Sequence, residues 1–245
     1  MAEARAASPA PEVEVRGLTK SFNHRPALRG IDLDIGPGES VVIFGPNGAG
    51  KTTLLKILAT IMNPSSGTVL VDGLDCKKNA EEVRRRIGIV SHHTYLYNSL
   101  TAYENLEFYA RMYDVPRPRE RAYEVAAMVA MTARLHDRVG TLSRGMQQRL
   151  SIARSLLHKP SLMLMDEPET GLDQQAISML WAILHEEGEA KRTVILVTHS
   201  LERGLELGDR LVILNRGRVV FQKPRQDLDL NSLRQAYQQS TGAAR

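Results

Sequence analysis

A glycine-rich segment, GPNGAGKTT at residues 45–53, constrains the fold of this 245-residue chain more than any other feature. It follows VVIF at residues 41–44, an apolar run typical of a strand that is buried on both faces of a sheet. Residues 53–60 after it are predicted to be helical. A strand, a glycine-rich turn and a helix in this order predict an α/β fold with the turn at the carboxyl edge of a parallel sheet.

The segment also matches the pattern G-x-x-x-x-G-K-[ST] at every required position. In this pattern the glycines let backbone N–H groups wrap phosphate groups, the lysine reaches the β- and γ-phosphates, and the threonine hydroxyl ligates Mg²⁺. We therefore predict a nucleotide site at the end of this strand. The residues expected to form it are Gly45, Pro46, Asn47, Gly48, Ala49, Gly50, Lys51, Thr52 and Thr53.

Two adjacent carboxylates, Asp166 and Glu167, come directly after a second apolar run, LMLM at residues 162–165. Adjacent acidic residues usually lie in a solvated loop, but at the end of a buried parallel strand they face the crevice where ligands bind. We expect Asp166 to supply the other half of the Mg²⁺ site and Glu167 to take a proton from an attacking water molecule.

A third apolar run, VILV at residues 194–197, is followed closely by His199. A single histidine at such a position is usually structural. Because a phosphate site is already predicted at the same sheet edge, we favour a contact between His199 and the γ-phosphate.

The rest of the chain predicts a second sheet and an inserted helical region. Alternation of apolar and polar residues at 13–18 and 31–35 is typical of antiparallel strands with one wet face. Residues 92–159 are mostly helical in pattern, including a helix at 147–159 that is preceded by a polar and glycine-containing turn at 143–146. Thr101 and Glu104 form a capping box that begins an earlier helix of this region.

Composition excludes several classes of protein. No apolar run approaches the roughly twenty residues that cross a bilayer, so we expect no transmembrane span. The single cysteine, Cys76, forms no internal disulfide and fits a reducing compartment as an ordinary, partly buried thiol. The net charge is +4, and its densest cluster, residues 84–86, is either a solvated helix face or a surface for nucleic acid or anionic lipid. No recognised nucleic-acid motif accompanies it, and we expect no direct nucleic-acid partner.

The ordered motifs GPNGAGKTT, LSRGMQQR, LMLMDEP, TGLD and VTHS resemble those of the ATP-binding cassette (ABC) ATPases. The resemblance implies a P-loop NTPase fold, with an ABC-type nucleotide-binding domain made of a mixed RecA-like core sheet, an antiparallel β subdomain and an inserted helical subdomain. It places this domain at residues 12–225, with the helical subdomain at about 92–159. A disordered tail at 1–11 and a C-terminal helix or tail at 226–245 complete the chain.

The resemblance also implies a head-to-tail dimer in which each ATP lies between the P-loop of one subunit and the LSGGQ-type segment of the other. Here that segment is LSRGM at residues 142–146, with Arg144 and Met146 replacing a glycine and a glutamine. Its phosphate-contacting positions are Ser143 and Gly145. Asp173 matches the aspartate that senses the opposite site.

Two further positions follow from the resemblance. Phe22 lies where the family has an aromatic side chain that stacks on adenine, although a core phenylalanine is the alternative. His92 replaces the glutamine that lies near Mg²⁺ and the attacking water, which either weakens coupling or gives a working, titratable substitute. We expect His92 to be a working substitute.

Together with LSRGMQQRLSIARSLLHKP, the segment SHHTYLYNSLTAYENLEFYARMY is similar to the ATP-binding subunit of the haem exporter of cytochrome c biogenesis. This resemblance implies a peripheral protein at the cytoplasmic face of the inner or plasma membrane, with integral membrane transporter subunits and a second ATPase subunit as partners. Tyr95, Leu96 and Tyr97 are expected to contact the membrane subunit, or else to pack within the helical region. ATPases of other exporters (drug, lipid or polysaccharide) and, less favoured, soluble ABC ATPases acting on ribosomes or DNA are the alternatives.

Overall fold

The computed structural model of the chain describes residues 10–91, 93–170, 172–185 and 191–242. The strands formed by these residues are β1 (Val13–Phe22), β2 (Arg25–Ile35), β3 (Ser40–Phe44), β4 (Ser66–Val71), β5 (Leu74–Asp75), β6 (Ile87–Val90), β7 (Leu162–Asp166), β8 (Thr193–Val197), β9 (Arg210–Asn215) and β10 (Arg218–Pro224). The α-helices are α1 (Lys51–Leu58), α2 (Ala80–Arg84), α3 (Ala102–Met112), α4 (Pro118–Met128), α5 (Arg144–Leu156), α6 (Gln174–His185), α7 (Leu201–Leu207) and α8 (Leu230–Thr241).

The main sheet is mixed, with strand order β10-β9-β3-β8-β7-β6. The pairs from β9 to β6 are parallel, and β10 adds an antiparallel edge through the hairpin around Gly217. Every residue of β3, β7 and β8 is buried, which explains their unbroken apolar sequences. Since β3, β8 and β7 are adjacent and parallel, their carboxyl ends lie side by side.

The second sheet is antiparallel, with strand order β2-β1-β4-β5. Val13 of β1 is opposite Ile35 on one neighbour and Val71 on the other, and all three are buried. These side chains share an apolar cluster with Leu54 and Leu58 of α1 and with the main sheet. The predicted wet-faced strands at 13–18 and 31–35 are therefore confirmed, although both extend further than their alternation indicates.

The helices α3, α4 and α5 lie between β6 and β7 in sequence, in the region predicted to be helical. The capping box is present: the Thr101 hydroxyl accepts a hydrogen bond from the Glu104 amide at 3.1 Å, and the Glu104 carboxylate accepts one from the Thr101 amide at 2.7 Å. The side chains of α5 from Leu150 to Leu156 are all buried, because α3 and α4 contact one side of this helix and β6 another.

The predicted start of α5 at residue 147 is wrong by three residues. Ser143 is the N-cap: its hydroxyl accepts a hydrogen bond from the Met146 amide at 3.3 Å, so the predicted turn is already the first helical turn. The helix ends at Leu156, before Lys159, which has a left-handed φ of 52° and precedes Pro160.

The helices of the carboxyl-terminal part were predicted only in part. The seven-residue α7 was not predicted, because fewer than two turns carry no readable periodicity. The predicted C-terminal helix is α8, capped by Asp229. Most of the predicted tail at 1–11 lies outside the described residues. Among the helices that are described, none has the length and apolar character that a membrane crossing requires.

Candidate active site

The glycine-rich loop has a backbone that only glycine permits. Gly45 has φ of 152°, and a Cβ atom there would lie 2.1 Å from the carbonyl oxygen of Leu214 on β9. Gly50 has φ of 106°, and a Cβ atom there would lie 2.7 Å from the carbonyl oxygen of Ala27. The loop is thus fitted between two neighbouring strands, and its path at the end of β3 depends on both glycines.

Lys51 begins α1 and is buried, with its Nζ donating hydrogen bonds to the carbonyls of Gly45 at 2.7 Å and Pro46 at 3.2 Å. Burial lowers the pKa of this ammonium group, while the negative charges of Glu167 and Asp166 oppose that shift. The lysine side chain is therefore hydrogen-bonded to its own loop, and it interacts electrostatically with both predicted carboxylates.

Thr52 and Asp166 connect the loop to the end of β7. The Thr52 hydroxyl donates a hydrogen bond of 2.7 Å to the Asp166 carboxylate, and Asp166 is buried. Among the residues that the structure describes, no group of three or more His, Cys, Asp or Glu side chains is arranged to hold a metal. Two hard oxygen ligands nevertheless fit Mg²⁺, which commonly uses one or two protein oxygens and takes its other ligands from phosphate and water.

Glu167 and His199 meet at the ends of β7 and β8. His199 Nε2 lies 2.7 Å from Glu167 Oε1, and roughly half of each side chain is exposed. Glu167 has a left-handed φ of 52°, a conformation that costs a non-glycine residue about 1–2 kcal/mol. Its amide donates to the carbonyl of Val197 at 2.9 Å, which holds this conformation beside β8. Strain of this kind concentrates at functional sites.

Phe22 ends β1 and is 44% exposed, so the alternative of a core phenylalanine is wrong. Lys20 Nζ lies 5.3 Å from the centre of its ring. Phe22 lines an open cleft together with Gly48 of the glycine-rich loop and Pro26. An exposed aromatic face next to the predicted phosphate loop is compatible with the expected stacking on a nucleotide base.

Ser143, Gly145 and Asp173 line a different cleft, which shares no residue with the one beside Phe22. Ser143 is exposed at the start of α5. The Asp173 carboxylate accepts a hydrogen bond from the Ala176 amide at 2.8 Å and lies 3.2 Å from the Arg149 guanidinium. Lys51, Asp166 and Glu167 therefore form one group at the sheet edge, and Ser143, Gly145 and Asp173 form another.

His92 lies outside the described residues, so its position stays a prediction. Its neighbours Ser91 and His93 line a pocket together with Thr52 and Asp166. The Ser91 hydroxyl donates a hydrogen bond to the carbonyl of His93 at 2.9 Å. The residues on both sides of His92 therefore lie beside the expected Mg²⁺ ligands.

Two buried polar residues of α5 were missed by the sequence analysis. The Gln148 amide donates to the carbonyls of Ser91 and Pro168, and the Arg154 guanidinium donates to the carbonyl of Ile89 at 2.9 Å. Periodicity gives no signal for such residues, because a polar side chain in a helix is normally assigned to the exposed face.

Comparison with known proteins identifies the family. Residues 28–170 match the family described as ABC transporter. The chain is 37% identical over 214 residues to the daunorubicin/doxorubicin resistance ATP-binding protein DrrA of Streptomyces peucetius, covering 86% of this chain and 65% of that protein. It is 33% identical over 220 residues to the Nod factor export ATP-binding protein I of Cupriavidus metallidurans, covering 89% of this chain and 73% of that protein.

A solved structure agrees with the same assignment. It is a dimeric, post-hydrolysis state of an ATP-binding cassette bound to ADP and Pi, with a TM-score of 0.80 and 30% identity over 87% of this chain and 98% of that one. The expected fold class, an ABC-type P-loop domain with a mixed core sheet and an antiparallel β sheet, is confirmed. The family match covers more than half of the chain and includes Lys51, Asp166 and Glu167, so the chain belongs to the ABC transporter family as an ATP-binding, ATP-hydrolysing subunit.

Proposed function

We propose that this chain binds MgATP at the carboxyl edge of its main sheet and uses the energy of hydrolysis to drive export through separate membrane-spanning subunits. The observation that carries the proposal is the hydrogen bond between Thr52 and Asp166, which joins the phosphate loop to the carboxylates after β7. Glu167 and His199 lie next to that junction.

In this proposal the loop from Gly45 to Thr53 wraps the phosphates, and Lys51 transfers its hydrogen bonds from loop carbonyls to the β- and γ-phosphates. Thr52 and Asp166 would hold Mg²⁺, which supplies positive charge to the phosphate oxygens. Phe22 stacks on the adenine ring. These assignments give a role to each residue that is expected to bind the base, the phosphates or Mg²⁺ of the chain's own nucleotide.

Glu167 is proposed to accept the proton of the attacking water, and His199, 2.7 Å from its carboxylate, to orient that carboxylate and contact the γ-phosphate. His92 is proposed to act beside them in place of a glutamine. A carboxylate next to a bound triphosphate whose charge is neutralised is suited to general base catalysis, because it can accept the proton of a water molecule that attacks the γ-phosphate.

The test is Glu167→Gln, which keeps the shape of the side chain but removes the base. We expect kcat for ATP hydrolysis to fall at least ~100-fold. The Kd for ATP is expected to stay near its wild-type value, since Lys51 and the loop are untouched. The matched control is Glu169→Gln, the same chemical change two residues away, which is expected to keep wild-type kcat. Near-normal hydrolysis by Glu167→Gln would contradict the assignment.

The second cleft is proposed to serve a second copy of this chain or a close paralogue. Ser143 and Gly145 would contact the ATP bound to the other subunit, and Asp173 would sense its state. Support comes from the separation of this cleft from the Phe22 cleft and from the dimeric state of the similar cassette structure.

Export is proposed as the direction of transport because the relatives described above are named for drug resistance and for Nod factor export. The protein is then peripheral, held at the cytoplasmic face of the inner or plasma membrane by its membrane subunits. Purification from detergent-solubilised membranes is expected to bring down integral membrane proteins in fixed ratio. Recovery of ribosomal proteins or DNA instead would favour the alternative of a soluble ABC ATPase.

The finer proposal, haem export in cytochrome c maturation, rests on the sequence resemblance alone, and neither of those two relatives is named for it. In the source organism, a strain carrying Glu167→Gln is expected to lose haem-stained c-type cytochromes if haem is the cargo. Normal c-type cytochromes together with increased sensitivity to a toxic small molecule would assign the chain to another exporter.

A further inference from the structure

A single buried amide connects the two segments that carry the proposed hydrolytic groups. Gln148 lies on the inner side of α5 and is 3% exposed. Its Nε2 lies 3.2 Å from the carbonyl oxygen of Pro168 and 3.4 Å from that of Ser91, and it donates to both. Pro168 directly follows Glu167 in the sequence, and Ser91 directly precedes His92.

Neither carbonyl belongs to the regular pairing of the main sheet. Ser91 follows the last residue of β6, and Pro168 lies two residues after the end of β7. Both residues are buried, so water does not readily replace a lost donor, and an unpaired buried carbonyl is costly. The side chain of Gln148, with its two N–H groups on one nitrogen, satisfies both carbonyls from one helix position.

The neighbouring backbone needs this support. Glu167 adopts its left-handed φ of 52° between an amide bonded to Val197 and the next residue, whose carbonyl is bonded to Gln148. Loss of the second bond removes the only side-chain donor to this stretch of backbone among the described residues, and the carbonyl of Glu167 then keeps only the hydrogen bond from the Thr170 amide at 3.1 Å. Because the strained conformation is less favourable than the ordinary ones, the backbone is then expected to relax and move the carboxylate.

We infer that Gln148 is a positioning residue for ATP hydrolysis, which holds the backbone after Glu167 in fixed relation to Ser91 at the end of β6 and to α5. The inference rests on the proposed role of Glu167 as general base. It assigns no contact between Gln148 and nucleotide; the amide acts through the backbone of the residues next to it. Since Ser143 caps α5, the same helix joins the second cleft to the site of hydrolysis.

The test is Gln148→Met, which keeps the length and bulk of the side chain but removes both donors. In the full chain we expect kcat for ATP hydrolysis to fall about 10- to 100-fold, since small misplacements of a catalytic group have effects of this size. The KM and the Kd for ATP are expected to stay within about threefold of wild type, because no nucleotide contact is lost. A kcat within twofold of wild type would overturn the inference.

The matched control is Asn105→Leu on α3. Asn105 is also a buried amide, and its Nδ2 donates to the carbonyls of Thr101 and Tyr97, but it touches neither Ser91 nor Pro168. It is expected to lower the melting temperature as much as Gln148→Met does while retaining kcat. Equal losses of kcat in the two variants would show that lost stability, rather than lost positioning, explains the effect.

A double-mutant cycle separates this inference from the proposed function. In a Glu167→Gln background, Gln148→Met is expected to lower the residual rate by less than about twofold, because the group that it positions is already absent. A full additional loss there would overturn the inference. Wild-type activity of Glu167→Gln alone would instead remove the proposed function. If Gln148→Met does not fold, Gln148→Asn, whose amide is one methylene shorter and cannot reach both carbonyls, is expected to show the same selective loss of kcat.

Discussion

His158, two residues beyond the end of α5, illustrates how one partly buried side chain makes the stability of the fold depend on pH. Its ring stacks on Tyr113 with centres 4.1 Å apart, and its Nε2 donates to the carbonyl of Ile87 at 3.0 Å. Its Nδ1 is buried and has no hydrogen-bond partner. Burial lowers the pKa of His158 to about 4, because a protonated ring would place both a charge and an unsatisfied N–H group in the interior.

The sign of the effect on stability follows from this pKa. The unfolded chain takes up a proton on His158 near pH 6.5, whereas the folded chain takes it up only near pH 4. Below pH 6.5 the unfolded state therefore binds more protons, and stability falls as the pH is lowered toward 4. Above pH 6.5 this loss is absent, and by linkage it amounts to about 3 kcal/mol near pH 4.

We predict that His158→Phe is less stable than wild type at pH 7 by about 1 kcal/mol, because the hydrogen bond to Ile87 is lost while the stacked ring is kept. Between pH 7 and pH 4.5, the free energy of unfolding is expected to fall less steeply in the variant than in wild type. Urea unfolding at a series of pH values measures both slopes. Parallel curves would show that His158 is not the titrating group.

At the scale of secondary-structure elements, the parts that were predicted correctly have local signals. The runs at 41–44, 162–165 and 194–197 predict buried strands because strands covered on both faces have no polar positions. Parallel strands with adjacent carboxyl ends then bring Lys51, Asp166 and Glu167 together at one edge without further information. The capping box at Thr101 is also local, since both of its hydrogen bonds join residues three apart.

The parts that were not predicted depend on contacts between distant residues. Gln148 bonds to Ser91 and Pro168, which are 57 and 20 residues away, and no pattern around residue 148 reports either partner. The start of α5 was placed too late because Ser143 and Gly145 are equally typical of a turn and of a first helical turn. The hydrogen bond from the Met146 amide to Ser143 decides between the two.

The segment after β6 and the helix α3 carry exposed aromatic side chains, here called the aromatic surface: Tyr95, Tyr97 and Phe108. The Tyr97 and Phe108 rings meet edge to face with centres 5.4 Å apart, so Tyr97 packs within the helical region, while half of its surface stays exposed. Its contact with the membrane subunit stays a prediction. Tyr95 is less suitable for mutation, because its ring lies over the buried guanidinium of Arg154 at 5.6 Å and its loss would expose that charge.

We predict that Tyr97→Ala combined with Phe108→Ala keeps the ATPase activity of the isolated chain but reduces its recovery with membrane subunits in a pull-down. Aromatic side chains are enriched in protein interfaces relative to the rest of the surface. Tyr123→Ala is the control. Tyr123 is as exposed as Tyr95, but it packs on Tyr103 of α3 outside the aromatic surface, so its loss is expected to leave recovery unchanged. Normal recovery of the double variant would exclude the aromatic surface as the docking site.

At the scale of the whole molecule, the two clefts are separate, as the proposed pairing of two subunits expects. One cleft contains Phe22 and Gly48 beside Lys51, and the other contains Ser143, Gly145 and Asp173. In a twofold symmetric pair, the first cleft of each subunit faces the second cleft of the other, so two composite sites form at once. Each chain then contributes a different half to each site.

This arrangement predicts complementation between two inactive variants. Lys51→Ala removes the phosphate-binding half, and Ser143→Arg blocks the half that faces the other subunit's nucleotide, so each homodimer is expected to be inactive. A mixed dimer has one site with both halves intact and one site with neither. With random pairing, half of the dimers are mixed, and the mixture is expected to recover up to about a quarter of the wild-type ATPase rate.

The measurement is the ATPase rate of equimolar mixtures compared with that of each variant alone at the same total concentration. A matched mixture of Lys51→Ala with Glu167→Gln is the control: both changes lie in the same half-site, so no pairing of these chains produces an intact site. Recovery in the first mixture but not in the second is expected only if Ser143 acts on the nucleotide of the other subunit. Full activity of Ser143→Arg alone, or equal recovery in both mixtures, would show that each chain hydrolyses ATP without the second cleft of a partner.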